Sequence, residues 1–256
     1  MTDTSKADVS SADPKYGTTD IDPDAVTAEP GGHVKVPFSV VKEDPEIREM
    51  ISSANRNLGV LGFTEHGFRH VGLVANIARN IMSRLGYDHR HQELAAIAGY
   101  THDIGNVISR HGHASTGAIL AHQILTRMGM DPADVIVVMS AIGSHGDDAG
   151  KLGEPVHPVS AALILADKSD VHRTRVRNND PAAFDDHDQM NYATTSSFLN
   201  VDPDAKSITL ELEIDTQMAS VMKYFELFMP RMQMCRRAAN LLEQTFRITI
   251  NDVAVL

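Results

Sequence analysis

The chain has 256 residues, an apolar fraction of 42% and a formal charge of -11. That length suffices for one substantial domain with or without a small appendage, and the acidic balance argues against a nucleic-acid backbone or an anionic membrane as the main partner while leaving room for a local basic pocket for one phosphate. A lone cysteine, Cys235, excludes an internal disulfide framework; no apolar run nears the roughly 20 residues that span a bilayer, and the start of the chain lacks a secretory pattern, so the expected location is the cytoplasm.

Residues 1–33 hold seven acidic and two basic residues and few large apolar groups. Such a segment cannot offset its chain entropy by burial, so a disordered acidic tail is expected. Val34 to Val41 is a short apolar lead-in, and a helix of modest strength is expected over about 43–59. A stronger helix opens at Thr64-Glu65. Val71, Val74, Ala78, Ile81 and Leu85 recur at three- and four-residue steps, and Gly86 ends it. Further helices are expected over about 90–102, 113–128 and 132–144, the last opening at Asp131-Pro132, where proline suits a first helical turn. Residues 146–154 read as a polar loop. From Pro158 the run Val159 to Asp167 is apolar nearly all round, the pattern of a central, buried helix.

Beyond Asp170 the character changes. The stretch 172–177 is basic, and 178–188 reads as a loop. Strands are expected over 197–201 and 207–214; in the second, Ile208, Leu210, Leu212 and Ile214 share one face. A long amphipathic helix over about 216–244 contains Pro230, which should kink or split it, and 246–250 reads as a last strand. The fold class is therefore mainly α. A helical domain covers 34–177, and a small C-terminal α/β unit of strand-strand-helix-strand order covers 178–256. The Met-rich helix (Met218, Met222, Met229, Met232, Met234) is a candidate homodimer face, although core packing accounts for it equally.

Of the 13 histidines, 11 fall between His66 and His172, and histidine is the commonest metal ligand. His102-Asp103 closes an apolar helical run, and Asp167 closes another. Charged groups in such places are costly to bury unless a cation or several donors pair with them. His70, His111 or His113, and His145 also stand at helix ends or inward faces. His66 and His70 have the four-residue spacing of two ligands on one helix face, but Gly67 stands where the H-E-x-x-H pattern needs glutamate, which favours His70 alone. A mixed nitrogen and carboxylate set suits Mn, Fe, Co, Ni or Zn, with Mg as a further candidate. Asp170 could orient a metal ligand from behind or be simply a surface carboxylate, and the surface reading is preferred.

The order His70, His102-Asp103, Asp167 resembles the H…HD…D signature of the HD-domain metal-dependent phosphohydrolase superfamily. The wording matches too, in "RHVGLVANIARNI", "AAIAGYTHDIGN" and "ALILADKSD". "HASTGAIL" from His113 and "AIGSHGDD" around His145 are similar to segments of the HD-GYP subgroup and other two-metal members. The resemblance implies an HD-type helical bundle with His70, His102, Asp103 and Asp167 on one metal. Asp103 would bridge to a second metal on His113 and His145. The chain departs from HD-GYP: it has no Gly-Tyr-Pro element, Asn106 replaces the lysine of HDIGK, and no second histidine follows His145.

The implied activity is hydrolysis of a small-molecule phosphate ester by a metal-activated water. Asp103 and Lys168 would be catalytic, with Lys168, Arg173 and Arg175 on phosphate oxygens. The same cations also suit a solvated helix C-terminus. Two other functions fit the residues: a two-iron oxygenase, as in myo-inositol oxygenase, and a non-catalytic metal-binding regulatory module.

Overall fold

The computed structural model describes residues 32–148, 151–178 and 180–255. Of the acidic tail expected over 1–33, residues 1–31 lie outside the described residues. Seven helices precede the C-terminal unit: α1 (Phe38–Glu43), α2 (Pro45–Val60), α3 (Phe68–Arg84), α4 (His89–Thr101), α5 (His113–Arg127), α6 (Pro132–Ser144) and α7 (Pro158–Ser169). Their starts follow from local chemistry. The side chains of Asp44, Asp88 and Asp131 accept from the first amides of α2, α4 and α6, groups that otherwise lack an intrahelical partner. His157 caps α7 by accepting from the Ser160 N–H. Helix α3 begins at Phe68 rather than Thr64, because side chains hold the preceding segment: the His66 N–H donates to Asn55 Oδ1 and the Gly67 N–H to Glu65 Oε1.

The middle of the domain is α7. From Val159 to Ala166 every side chain is buried, as its all-round apolar pattern requires. Helices α3, α4 and α6 pack around it. Gly99 lets α4 lie against α3, since a Cβ there would meet the backbone of Ala75 at 2.8 Å.

The loop after α4 is a short 3₁₀ turn, Ile104–Val107, seated on the start of α5. A Cβ on Gly105 would lie 2.0 Å from the His113 carbonyl oxygen and 2.5 Å from the Gly117 nitrogen. Those are backbone atoms and cannot rotate aside. Gly105→Ala is therefore expected to cost about 3 kcal/mol, the upper range for overpacking, and to separate Asp103 from His113. Urea denaturation measures the first effect, and loss of metal retention the second.

The loop after α6 carries a small antiparallel pair, β1 (Asp147–Asp148) and β2 (Lys151–Leu152). The C-terminal unit comprises α8 (Asp186–Ala193), β3 (Thr194–Asp202), β4 (Ser207–Ile214), α9 (Val221–Leu241), β5 (Thr245–Ile250) and β6 (Val253–Ala254). The sheet order is β3-β4-β5-β6. Strands β4 and β5 are parallel, and α9 is the crossover that such a pair needs. Ile208, Leu210, Leu212 and Ile214 are all buried, as their alternation predicts. The fold is thus mainly helical with a four-stranded sheet, one short strand more than expected.

Helix α8 begins within the loop expected over 178–188 and runs on through residues for which no element is expected. Its polar sequence hides a buried side, Met190, Asn191 and Ala193, and the Asp185 side chain caps it. Pro230 does not split α9, which runs on to Leu241. Met232 and Met234 are core, whereas Met222 and Met229 are exposed. These C-terminal elements share the core with α7, on which α9 packs, and Ser197 Oγ donates to the Ser169 carbonyl at 2.6 Å. No helix among the described residues is long and apolar enough to cross a membrane.

Candidate metal centre

Five helices bring donors to one point. Helix α3 contributes His70 from its first turn. His102 and Asp103 follow α4, His113 opens α5, His145 follows α6, and Asp167 lies in the last turn of α7. All except Asp167 are at most 4% exposed. Their donor atoms form three overlapping groups: His70, His102 and Asp103; His102, His145 and Asp167; and Asp103, His113 and His145.

The ring nitrogens have divided roles. The Nδ1 atoms of His102, His113 and His145 lie 2.8, 3.0 and 2.6 Å from the carbonyl oxygens of Gly99, Arg110 and Ile142. His70 Nδ1 lies 2.6 Å from Asp170 Oδ2. A carbonyl or carboxylate only accepts, so each Nδ1 carries the hydrogen and each neutral ring presents a bare Nε2. Those Nε2 atoms face one another, His70 to His102 at 3.3 Å and His113 to His145 at 3.2 Å. Facing lone pairs at that distance repel unless a cation or a proton lies between them.

Asp103 stands between the two pairs. Its Oδ2 is 3.6 Å from His70 Nε2 and 3.3 Å from His102 Nε2, and its Oδ1 is 3.6 Å from His113 Nε2. Asp103 Oδ2 is buried with no hydrogen-bond partner, which is costly for a carboxylate oxygen. Asn106, at the position of the HDIGK lysine, donates through Nδ2 to Asp103 Oδ1 at 2.8 Å and fixes the carboxylate. Asp167 Oδ1 faces His70 and His102 Nε2 at 3.4 and 3.6 Å. The orphaned oxygen and the opposed nitrogens fit divalent metal, and the donor chemistry suits a transition ion.

The electrostatics agree. Burial pushes the Asp103 and Asp167 carboxyls up, but His102 outweighs it for Asp103, and Lys168 with His102 for Asp167; both end well below the usual carboxylate range. Burial is the largest reason that His145 and His66 lie well below their ordinary value, with His102 adding to it for His145 and Arg175 for His66. Burial also opposes charge on His102, but Asp103 and Asp167 more than offset it and raise the ring to about 10. A histidine raised in the folded state contributes stability that is complete below its unfolded value, about 6.5, and lost as pH rises through 10. Metal-free protein is therefore expected to weaken from about pH 6.5 to 10, while metal, which displaces that proton, binds more tightly over the same range. Thermal melts of chelated and metal-loaded protein should show a gap that widens with pH.

A small polar cavity opens at the centre. It is lined by the donors Asp103, His113, His145 and Asp167 and by His66, Arg110, Lys168, Arg175 and Arg231. Lys168 Nζ lies 2.8 Å from Asp167 Oδ2. Arg175 lines the cavity, but its guanidinium donates to the carbonyls of Asp170 and Glu65, so it also ties the loop before α3 to the site. Arg173 is not among the lining residues; it is exposed and stacks over Tyr192 at 5.4 Å. His111 is exposed, outside the cluster.

Asp170 is not a surface carboxylate. It is 2% exposed, takes the His70 Nδ1 hydrogen, and accepts from Arg69 Nη2 at 2.6 Å. Its place three residues after Asp167, on the same buried helix end, was the available signal. His66 was legible only as a spacing. Arg110 and Arg231 carry no local signal.

Residues 67–172 match the family model described as HD domain. That segment is an HD domain. No curated protein matches the chain. The HD domain spans α3 to α7 and contains all six clustered donors, together with Lys168 and Asp170; Arg175 and Arg231 lie beyond it. The HD superfamily is one of metal-dependent hydrolases, and a buried His/Asp cluster able to take divalent metal accords with that class.

Proposed function

We propose that this protein is a metal-dependent phosphohydrolase that cleaves a phosphate ester of a nucleotide or another small molecule with a metal-activated water. One observation carries the reading: a cluster of buried His and Asp donors opens directly into a cavity walled by cations. His70, His102 and Asp167 would hold one ion, His113 and His145 a second, with Asp103 shared between them. Metal bound there supplies hydroxide near neutral pH and offsets phosphoryl charge.

The protein's own groups do the rest. Asn106 keeps Asp103 in one orientation, and Asp170 fixes the His70 tautomer, so that both present lone pairs inward. Lys168, beside Asp167, is placed to contact a phosphate oxygen and neutralise charge on it, and Arg175 adds positive potential to the same wall.

The test is phosphate release from a panel of nucleotides and small phosphate esters with Mn, Co, Ni or Mg. Turnover of at least one ester, abolished by chelation and restored by metal, is expected. Metal-loaded protein with no turnover on any phosphoester would overturn the reading. Four histidines to two carboxylates also suit iron. Two irons per chain with oxygen consumption and no phosphate release would favour the oxygenase instead.

A further inference from the structure

His66 lines the cavity, yet the hydrolytic reading gives it no part. It precedes α3 on a segment braced from several sides. The His66 N–H donates to Asn55 Oδ1 at 3.0 Å, and Arg177 donates to both the carbonyl and the side-chain oxygen of Asn55. The Glu65 N–H donates to the Arg175 carbonyl at 2.8 Å, and the Arg175 guanidinium donates back to the Glu65 carbonyl at 3.1 Å. The His66 ring stands edge-on to His70, with centroids 5.4 Å apart. At 9% exposure it is a buried imidazole held in one place.

Its two nitrogens differ. Nδ1 lies 2.7 Å from the Thr64 carbonyl oxygen, which only accepts, so Nδ1 carries the hydrogen and Nε2 is bare. Burial, helped by Arg175, holds the ring well below its ordinary value, so it is neutral near neutral pH. A cation at the donor cluster would act in the same direction. The rings of His70, His102, His113 and His145 spend their bare Nε2 on the three donor groups, to none of which His66 belongs. The His66 Nε2 accepts no hydrogen bond among the described residues and, unlike Asp103 Oδ2, is not sealed off. A buried ring whose acceptor is open to a cavity, with nothing to accept from, is an incomplete contact.

That acceptor limits what can sit against it. A phosphate oxygen brings lone pairs of its own and is repelled by Nε2. An ammonium group is disfavoured by Arg175 and Arg110, whose charges act on this ring. A hydroxyl fits, being small, neutral and a donor, and a phosphate ester carries its hydroxyls on the alcohol half. A methyl in the same place would leave Nε2 dry and unpaired, so the contact discriminates as well as binds.

We propose that His66 is a specificity-determining residue whose Nε2 accepts a hydrogen bond from a hydroxyl on the alcohol half of the substrate. Phosphates of polyols and sugars then bind in preference to phosphates of plain alkyl alcohols. The inference rests on the phosphohydrolase reading.

Two matched pairs of non-hydrolysable probes test it: hydroxymethylphosphonate against ethylphosphonate, and hydroxyethylphosphonate against propylphosphonate. Within each pair the charge is the same and a hydroxyl replaces a methyl. Mn-loaded full-length protein is titrated with all four by calorimetry, and bound metal is quantified before and after. Wild type is expected to bind the hydroxyl probe of at least one pair at least about fivefold more tightly, the scale of one hydrogen bond. In His66→Asn the amide nitrogen can still serve the Thr64 carbonyl, but nothing stands at the Nε2 position. That variant should bring the ratio close to one with metal content unchanged. His66→Gln, whose amide oxygen reaches the Nε2 position, should recover part of the preference. Ratios near one for both pairs in wild type, or a ratio unchanged in His66→Asn, overturn the inference and leave the phosphohydrolase reading standing. Loss of bound metal in His66→Asn makes His66 a ligand and overturns it equally. Metal-loaded wild type that binds none of the four probes overturns the phosphohydrolase reading, and this inference with it.

Discussion

Asp103→Asn is expected to reduce the bound metal from two ions per chain to one or none and to lower kcat/KM on any phosphate ester by at least about 10³-fold, about 4 kcal/mol of transition-state stabilisation. Asp103 is the one carboxylate whose two oxygens face different histidine pairs, Oδ2 toward His70 and His102 and Oδ1 toward His113. An amide keeps the size but offers a single, weakly basic oxygen. The buried, unpartnered Oδ2 would be replaced by a group unable to share a cation. The fold should survive, because neighbouring packing is unaltered and one buried charge is removed. Metal analysis of the purified variant, beside its urea midpoint, separates a lost site from a lost fold. Near-normal metal content with near-normal turnover would remove Asp103 from the centre of the account.

The second large effect is on stability. Asp170→Ala should cost about 3 kcal/mol or more, because deleting one partner of a buried ion pair leaves the other charge uncompensated. Arg69 is one-third exposed on its side chain, so solvent screens part of its loss. Arg175, with its side chain 5% exposed, has no such relief. For a chain of this size that corresponds to a fall in Tm of roughly 6–12 °C. The same change removes the acceptor for His70 Nδ1, so metal affinity should drop about 10–100-fold as the tautomer is released. Asp170→Asn divides the effects. The amide oxygen can still accept from His70, so metal affinity should be better preserved than stability. Differential scanning calorimetry and competitive metal titration of both variants read the two quantities independently.

Much of the helical part was legible in the sequence, because each helix carries its own period and stop. Val71 to Leu85 marked α3, Asp131-Pro132 marked the start of α6, and the all-round apolar run marked α7 as central. The alternation of Ile208 to Ile214 likewise gave β4 with both ends. What was not legible depended on partners distant in sequence. Helix α8 looks like a loop, because its buried side consists of a few residues against α9 and β3. Pro230 looks like a breaker, yet tertiary packing carries α9 through it. In the site, the clustered donors could be nominated because each closes or opens a periodic helix. For Asp170 the surface reading was preferred over the orienting one, because its place three residues after Asp167 was the one local signal and the partner that decides, Arg69, lies one hundred and one residues away. Arg231 had no motif at all; only the packing of α9 on α7 brings it to the cavity.

Under the proposed function, His70, His102, Asp103, His113, His145 and Asp167 would hold a metal pair with Asp103 shared between the ions. Anomalous diffraction from crystals grown with Mn tests it most directly. Two peaks are expected in each chain, one beside His70, His102 and Asp167 and the other beside His113 and His145, with Asp103 between them. A single peak away from Asp103, or Mn-saturated crystals with no peak among these six residues, would contradict it.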